Sequence, residues 1–432
     1  MAVFPFTIRA TDSEGSFADR QFSITVRNSR VERFMAVTGA DAYTSADGQS
    51  WVLRAGMGGS SCAYGNNMWL IGPISIGGLR RSTDGVNYTY IDPASMTFTH
   101  LNDPRTGTNA AGNPSMFLGR ISKIRFYNGR FWFWQSQTIN TSNVGRQSLR
   151  VWYSENGIDW FGRTLLHNNN SATNFINNMQ SSGEFITEDN GTLFIGSAVG
   201  GGSDPILHPD FGTGGTPLGF QSTDNGNTWA PVRRAGLANS LNLNNANITL
   251  TRVNGFYLAY GMNNNFGFGT LSNTYAYSTD GSNWTQGDFS VGTGQSATNI
   301  ANLLNGTRPN GFIYANGLIY VSMAATASSS PGYLPMLVSA DGISWTLRTN
   351  IIDFSRTTGS GSNTGDWGRG NIIYRNGIFL LAHQGGGSAD TLGSGGVSVF
   401  SGGLRFSTNG STWTTVNRFD NTATLFLDAA MI

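Results

Sequence analysis

The sequence predicts an all-β fold made of seven repeated units. Three observations carry this. A Ser-x-Asp/Asn-Gly-x-x-aromatic element recurs seven times between residues 45 and 413. Asn-Gly pairs flanked by short apolar runs alternate with it, and such a pair is the strongest short-range hairpin signal. Residues that favour exposed helices are nearly missing: the 432 residues include one lysine, Lys123, and five glutamates, Glu14, Glu32, Glu155, Glu184 and Glu188. Fifty-eight glycines beside 27 Phe, 14 Tyr and 11 Trp suit many short strands joined by tight turns, which argues against an α-helical or α/β enzyme.

Charge and cysteine content narrow the partners. A net charge of +1 without lysine clusters lacks the footprint of nucleic-acid binding. Cys62 is the one cysteine, so neither an intrachain disulfide nor a multi-cysteine metal centre can form. No apolar run approaches the ~18 residues of a membrane span. Met1-Ala2-Val3-Phe4-Pro5 lacks the charged and apolar regions of a secretion signal, so neither membrane insertion nor a signal peptide is expected. No cofactor or metal is expected: His100, His167, His208 and His383 are scattered, and Asp204, His208 and Asp210 make an incomplete ligand set.

Residues 1–28 read as a separate element. Phe6-Thr7-Ile8-Arg9-Ala10-Thr11-Asp12 and Gln21-Phe22-Ser23-Ile24-Thr25-Val26-Arg27-Asn28 alternate like two strands around a glycine-containing loop. They resemble the last hairpin of cadherin-like or Ig-like modules. An isolated hairpin is marginal in water, so this one is expected to add its strands to another polypeptide or to belong to a longer product.

The seven turn elements come next. They are Ser45-x-Asp47-Gly48-x-x-Trp51, Ser82-x-Asp84-Gly85-x-x-Tyr88, Ser154-x-Asn156-Gly157-x-x-Trp160, Ser278-x-Asp280-Gly281-x-x-Trp284, Ser339-x-Asp341-Gly342-x-x-Trp345 and Ser407-x-Asn409-Gly410-x-x-Trp413, with a longer copy at Ser222-x-Asp224-Asn225-Gly226-x-x-Trp229. Asp or Asn is suited to accept backbone hydrogen bonds in its own turn, Gly to take a positive φ, and the aromatic residue to re-enter the core. The element resembles the Asp-box, or BNR repeat, of sialidases and related β-propellers, where it joins the third and fourth strands of a blade. The resemblance implies a seven-bladed β-propeller over residues 29–432, with Asp47, Asp84, Asn156, Asp224, Asp280, Asp341 and Asn409 as structural staples that perform no chemistry.

Between the turns, Asn128-Gly129, Asn190-Gly191, Asn254-Gly255, Asn316-Gly317 and Asn376-Gly377, with Asn66-Asn67 as a variant, predict hairpins joining strands one and two of six blades. Before the first turn there is room for one further strand, Arg33-Phe34-Met35-Ala36-Val37. Residues 423–432 can therefore complete the first blade and close the ring by a three-plus-one clasp. Both tight turns of each blade fall on one face. The long connections 91–119, 162–182, 197–218, 286–310, 324–335, 349–368 and 384–403 fall on the other, where binding is expected.

Candidate residues on that face are few. Arg120, Arg308 and Arg369 lie just before or at innermost strands. Asp366-Trp367-Gly368-Arg369 places an aromatic ring beside a carboxylate and a guanidinium, a set suited to stacking on and hydrogen bonding a sugar. A sialidase needs an arginine cluster, a Tyr nucleophile with a Glu, and an Asp acid/base. The Tyr/Phe-Arg-Ile-Pro signature of that family is missing, and Glu184 is the one glutamate expected beside the channel. Asp204, Asp210, Asp353 and Asp366 offer no distinctive carboxylate pair. The leading expectation is therefore a non-catalytic virion component, part of a phage tail or capsid. Its propeller would bind host-surface carbohydrate or neighbouring subunits, and residues 1–28 would join other virion proteins. The alternatives are a sialidase-like glycoside hydrolase and the propeller of a larger bacterial surface or assembly protein.

Overall fold

The computed structural model describes residues 2–26, 32–72, 78–101, 123–141, 144–167, 186–196, 206–207, 217–233, 247–262, 274–304, 307–325, 333–353, 370–383, 403–418 and 426–432. The first two strands, Ala2–Thr11 and Phe17–Val26, pair in register from Ala2↔Val26 to Thr11↔Phe17 and form a sheet of their own. The rest of the strands form seven antiparallel sheets. Their innermost strands are Phe426–Met431, Ser61–Gly65, Arg125–Tyr127, Ile186–Asp189, Asn247–Val253, Thr307–Ala315 and Gly370–Arg375. Each of these touches the next, and Gly370–Arg375 touches Phe426–Met431, so the circle closes. The chain is a seven-bladed β-propeller. Blades are numbered in the chain order of their Ser-to-aromatic turns.

Blade one draws on both ends of the ring. Phe34–Thr38 pairs with Phe426–Met431 on one side and with Ala42–Ser45 on the other. Closure of this kind leaves no long exposed sheet edge.

The turns form as their residues dictate. Asn128 at φ 51° and Gly129 at φ 80° give the double positive-φ turn whose twist matches the strands it joins. Asn66-Asn67, Asn190-Gly191, Asn254-Gly255, Asn316-Gly317 and Asn376-Gly377 repeat it. In the Ser-to-aromatic turn of blade one, Ser45 Oγ donates to Asp47 Oδ1 at 2.9 Å, Gly48 N–H donates to Ser45 Oγ at 2.9 Å, and the N–H groups of Gln49 and Ser50 donate to Asp47 Oδ1. In five turns the aromatic side chain closes the loop by donating to the glycine carbonyl: Trp51, Tyr88, Trp160, Trp229 and Trp413. Blade six inserts a relay, with Trp345 Nε1 donating to Tyr275 Oη at 2.8 Å and Tyr275 donating to the Gly342 carbonyl at 2.7 Å.

These turns also join blades. A Cβ on Gly226 would stand 2.2 Å from the Trp132 ring of blade three, one on Gly157 2.9 Å from Leu70 of blade two, and one on Gly410 2.7 Å from Tyr320 of blade six. Each glycine is thus pressed on the blade before its own. Between blades the core is dry and aromatic. In Phe131-Trp132-Phe133-Trp134 the even positions pack towards Leu193, Phe220 and Trp229 of blade four, and the odd ones towards Leu70, Leu79 and Ile91 of blade two. This is the alternation of a strand buried on both faces.

Two connections depart from the expected plan. After the short strands Thr89–Ile91 and Thr285–Asp288, Asp92 Oδ1 accepts from Ala94 N–H and Asp288 Oδ1 accepts from Ser290 N–H, and the chain reverses. The first segment then returns as Thr97–His100, pairing in parallel outside Asp159–His167 of blade three. The second brings Val291 O to Trp345 N–H at 2.7 Å and stacks Phe289 on Tyr275, with ring centroids 4.4 Å apart. Both therefore start against the turn side of the next blade. Burial of Met96, Phe98 and Phe289 in the gap between blades accounts for the detour.

The fit of these glycines is testable. Gly226→Ala, which forces a methyl into Trp132 at φ 81°, is expected to destabilise by about 3 kcal/mol, combining overpacking with left-handed strain. Gly129→Ala, with nothing within 4 Å, is expected to cost about 1 kcal/mol. Urea unfolding of the two variants measures the gap, and equal costs would show that the turn is not pressed on its neighbour.

Candidate functional site

The two faces of the ring differ in what their polar groups are doing. On the turn face, side chains bond backbone across blade boundaries. Arg130 Nη1 donates to Asn225 O at 2.6 Å, Arg252 Nη1 to Asp189 O at 2.9 Å, and Arg375 Nη1 to Met431 O at 3.1 Å. Asn66 Nδ2 donates to both Gly129 O and Glu155 O. Asp189 also pairs with Arg252 at 2.8 Å and accepts from Gly255 N–H. Glu188 Oε1 caps its own hairpin at Gly191 N–H.

The turn aspartates belong to the same lattice. Ser50 N–H is the main cause holding the Asp47 carboxyl at about 2, helped by Gln49 N–H against a small desolvation cost. Asn283 N–H depresses Asp280 in the same way, and Ser344 N–H depresses Asp341. Burial pushes Asp84 and Asp224 upward, but bonds from Asn87 and Val86 and from Thr228 outweigh it, so both lie below the ordinary range. Asn156 and Asn409 accept the same backbone donors with a neutral oxygen. All seven side chains thus accept hydrogen bonds from the backbone of their own turns.

On the opposite face the innermost strands begin around the central opening. Ser61, buried at the start of its strand, accepts from Ile124 N–H at 2.8 Å and ties blades two and three there. Arg308 is the second residue of Thr307–Ala315, opposite Ala324, next to an irregularity between Pro309 and Gly311. Arg120, Asp366, Trp367 and Arg369 lie outside the described residues, as do Glu184, Asp204, His208 and Asp210. Asp353 ends the strand Trp345–Asp353.

The topology adds a residue that sequence reasoning passed over. His383 ends the apolar strand Ile378–His383 of blade seven, in register with Gly370, which begins that blade's innermost strand. His383 thus has its backbone at the opening. The clue in the sequence was its position at the end of Ile378-Phe379-Leu380-Leu381-Ala382. Among the described residues no group of three or more His, Cys, Asp or Glu is placed to hold a metal.

No protein family is matched by this sequence, and no curated protein matches it. Solved structures do resemble it in architecture. A family 117 glycoside hydrolase of the marine bacterium Zobellia galactanivorans is 10% identical, with 70% of each chain covered and a TM-score of 0.28. The Pyrococcus horikoshii acylaminoacyl peptidase is 6% identical with a TM-score of 0.42 over 97% of this chain and 51% of that one. A xylan β-1,4-xylosidase of Bacillus halodurans is 10% identical with a TM-score of 0.30 over 88% of this chain and 53% of that one. This chain spans about half the length of the last two.

These findings correct the leading expectation. The rings found are those of enzymes, chiefly glycoside hydrolases, so the reading as a non-catalytic virion component, and with it the exclusion of catalysis, is set aside. A rigid ring serves catalysis as well as it serves a scaffold, and composition alone does not separate the two.

The turn carboxylates predict a pH dependence. A carboxyl depressed by folding contributes stability above its unfolded value of about 3.9, and that stability is lost as pH falls through the folded value, about 2 for Asp47. The thermal midpoint should therefore drop between about pH 4 and pH 2. Replacing Asp47, Asp280 and Asp341 together with Asn keeps the acceptors and should flatten that drop. An equally steep drop in the variant would show that these turns do not carry the acid sensitivity.

Proposed function

We propose that the chain is a sialidase-like glycoside hydrolase working at the opening on the long-connection face. The observation that carries this reading is the division of the ring. The turn face spends its polar groups on holding blades together, and Arg308 enters at the start of an innermost strand on the other face. Arg120 and Arg369 precede the innermost strands of blades three and seven in sequence and supply further guanidinium groups. A planar guanidinium pairs a carboxylate with two parallel hydrogen bonds, which suits an acidic sugar. The seven Ser-to-aromatic turns, similar to the Asp-box of sialidases, support the same reading.

In this reading Trp367 stacks on the sugar, and Asp366 gives a proton to the leaving glycosidic oxygen as the bond to the anomeric carbon breaks. Water then adds to that carbon and returns a proton to the carboxylate, so the net reaction is hydrolysis.

A panel of 4-methylumbelliferyl glycosides that includes the N-acetylneuraminide tests this. Turnover is expected on the acidic sugar, with kcat/KM falling about 10²-fold in Arg308→Ala and nearly as far in Arg308→Lys, which keeps the charge but loses the two-point geometry. Absence of turnover on every glycoside, or an Arg308→Ala protein as active as the parent, would refute it.

A further inference from the structure

Blade three differs from the other six in one dimension. Its second strand, Arg130–Thr141, has 12 residues and its third, Val144–Ser154, has 11. The second strands of blades four to seven have 5, 7, 8 and 6 residues. Every strand of this kind starts at the turn face and runs to the long-connection face, so the surplus projects beyond the rim there. Four residues more than the next longest strand correspond to about 14 Å.

The root of this arm is braced. Val144–Ser154 is paired as far as Ser148↔His167 with Asp159–His167, and Ile206–Leu207, from the connection inside blade four, pairs with Leu166 and His167. Beyond Ser148 the arm is two-stranded: Thr138↔Gln147, Ile139↔Arg146, Asn140↔Gly145 and Thr141↔Val144. The period-2 rule puts Ser136, Thr138, Asn140 and Gln147 at positions of one face, together with Gly145 and Leu149. That face is rich in amides and hydroxyls and carries no charge.

We propose that this arm is an oligosaccharide platform flanking the opening, where its amides and hydroxyls recognise the sugars that follow the one being cleaved. The proposal rests on the glycoside hydrolase reading above and names a substrate class for it: an extended glycan rather than a monosaccharide glycoside. Neutral hydrogen-bonding groups on a rigid two-stranded support match neutral polyhydroxylated sugar units. They match neither nucleic acid, which calls for a basic surface, nor an apolar protein face.

The test shortens the arm by replacing residues 138–147 with Asn-Gly, which joins Gln137 to Ser148 through a two-residue hairpin. An unchanged thermal midpoint shows that the ring is intact. With 4-methylumbelliferyl N-acetylneuraminide the kinetics should match the parent. With sialyllactose KM should rise at least tenfold at constant kcat, and calorimetric binding of sialyllactose should weaken in step. The paired replacement Thr138→Val with Gln147→Leu, which keeps strand-forming residues, should move sialyllactose the same way by at least threefold. If the parent binds sialyllactose and the shortened protein binds it equally well, the arm proposal alone fails. If both substrates lose equally, the arm acts on the ring rather than on the glycan, and the proposal is overturned. A parent that neither binds nor cleaves sialyllactose overturns it together with the reading of the opening.

Discussion

Each blade is held against the one before it by a glycine with little or no room for a side chain. Gly48 meets Phe406 of blade seven, Gly157 meets Leu70, Gly226 meets Trp132, and Gly410 meets Tyr320. The Ser and Asp or Asn of the same turn fix the backbone that presents this glycine, so the hydrogen bonds are local while the contact is between blades. Because the contact repeats around the circle, small errors in one blade angle are shared by all. The last strand, Phe426–Met431, closes the ring beside Phe34–Thr38, and every blade then has a neighbour on both sides.

Legibility in the sequence followed the range of the interaction. The Asn-Gly hairpins and the Ser-to-aromatic turns could be read because six or seven consecutive residues satisfy one another, and the structure bonds them accordingly. The alternating burial of Phe131 to Trp134 was equally visible, since strand geometry alone assigns it. The parallel fifth strand of blade three and the Tyr275 relay of blade six were not. Both depend on a chain reversal at a lone aspartate, Asp92 or Asp288, and on whether Met96, Phe98 and Phe289 find a gap between blades to fill. The arm of blade three was missed for another reason. Its strands carry polar residues on both faces, and polar alternation without an apolar partner reads as loop.

The candidate site was less legible than the fold. Sequence reasoning could name arginines near strand starts, and topology places Arg308 on an innermost strand as expected. It undervalued His383, because an isolated histidine has no pattern until the strand it ends is seen to stop at the opening. The other proposed residues sit in connections, where side-chain identity is free of the period-2 constraint and spacing carries no geometric information.

The division of labour between the faces follows from the blade itself. In an antiparallel four-stranded blade, both tight turns fall on one side whatever their sequence. Tight turns leave backbone donors and acceptors close together, and Arg130, Arg252, Arg375 and Asn66 are long enough to use them as anchors between blades. Side chains committed in this way cannot be released to a ligand without loosening the ring. The other side has the opposite economy: its strand ends are fixed by the ring, yet the segments between them carry no part of the inter-blade lattice. Chemistry can vary there at little cost to stability. One blade has used that freedom in a regular way, by lengthening its own hairpin and pairing it at the root with residues from its neighbour. A paired arm holds its side chains in a fixed register, whereas a connection of equal length must first be ordered at an entropic cost of about 1–2 kcal/mol per residue.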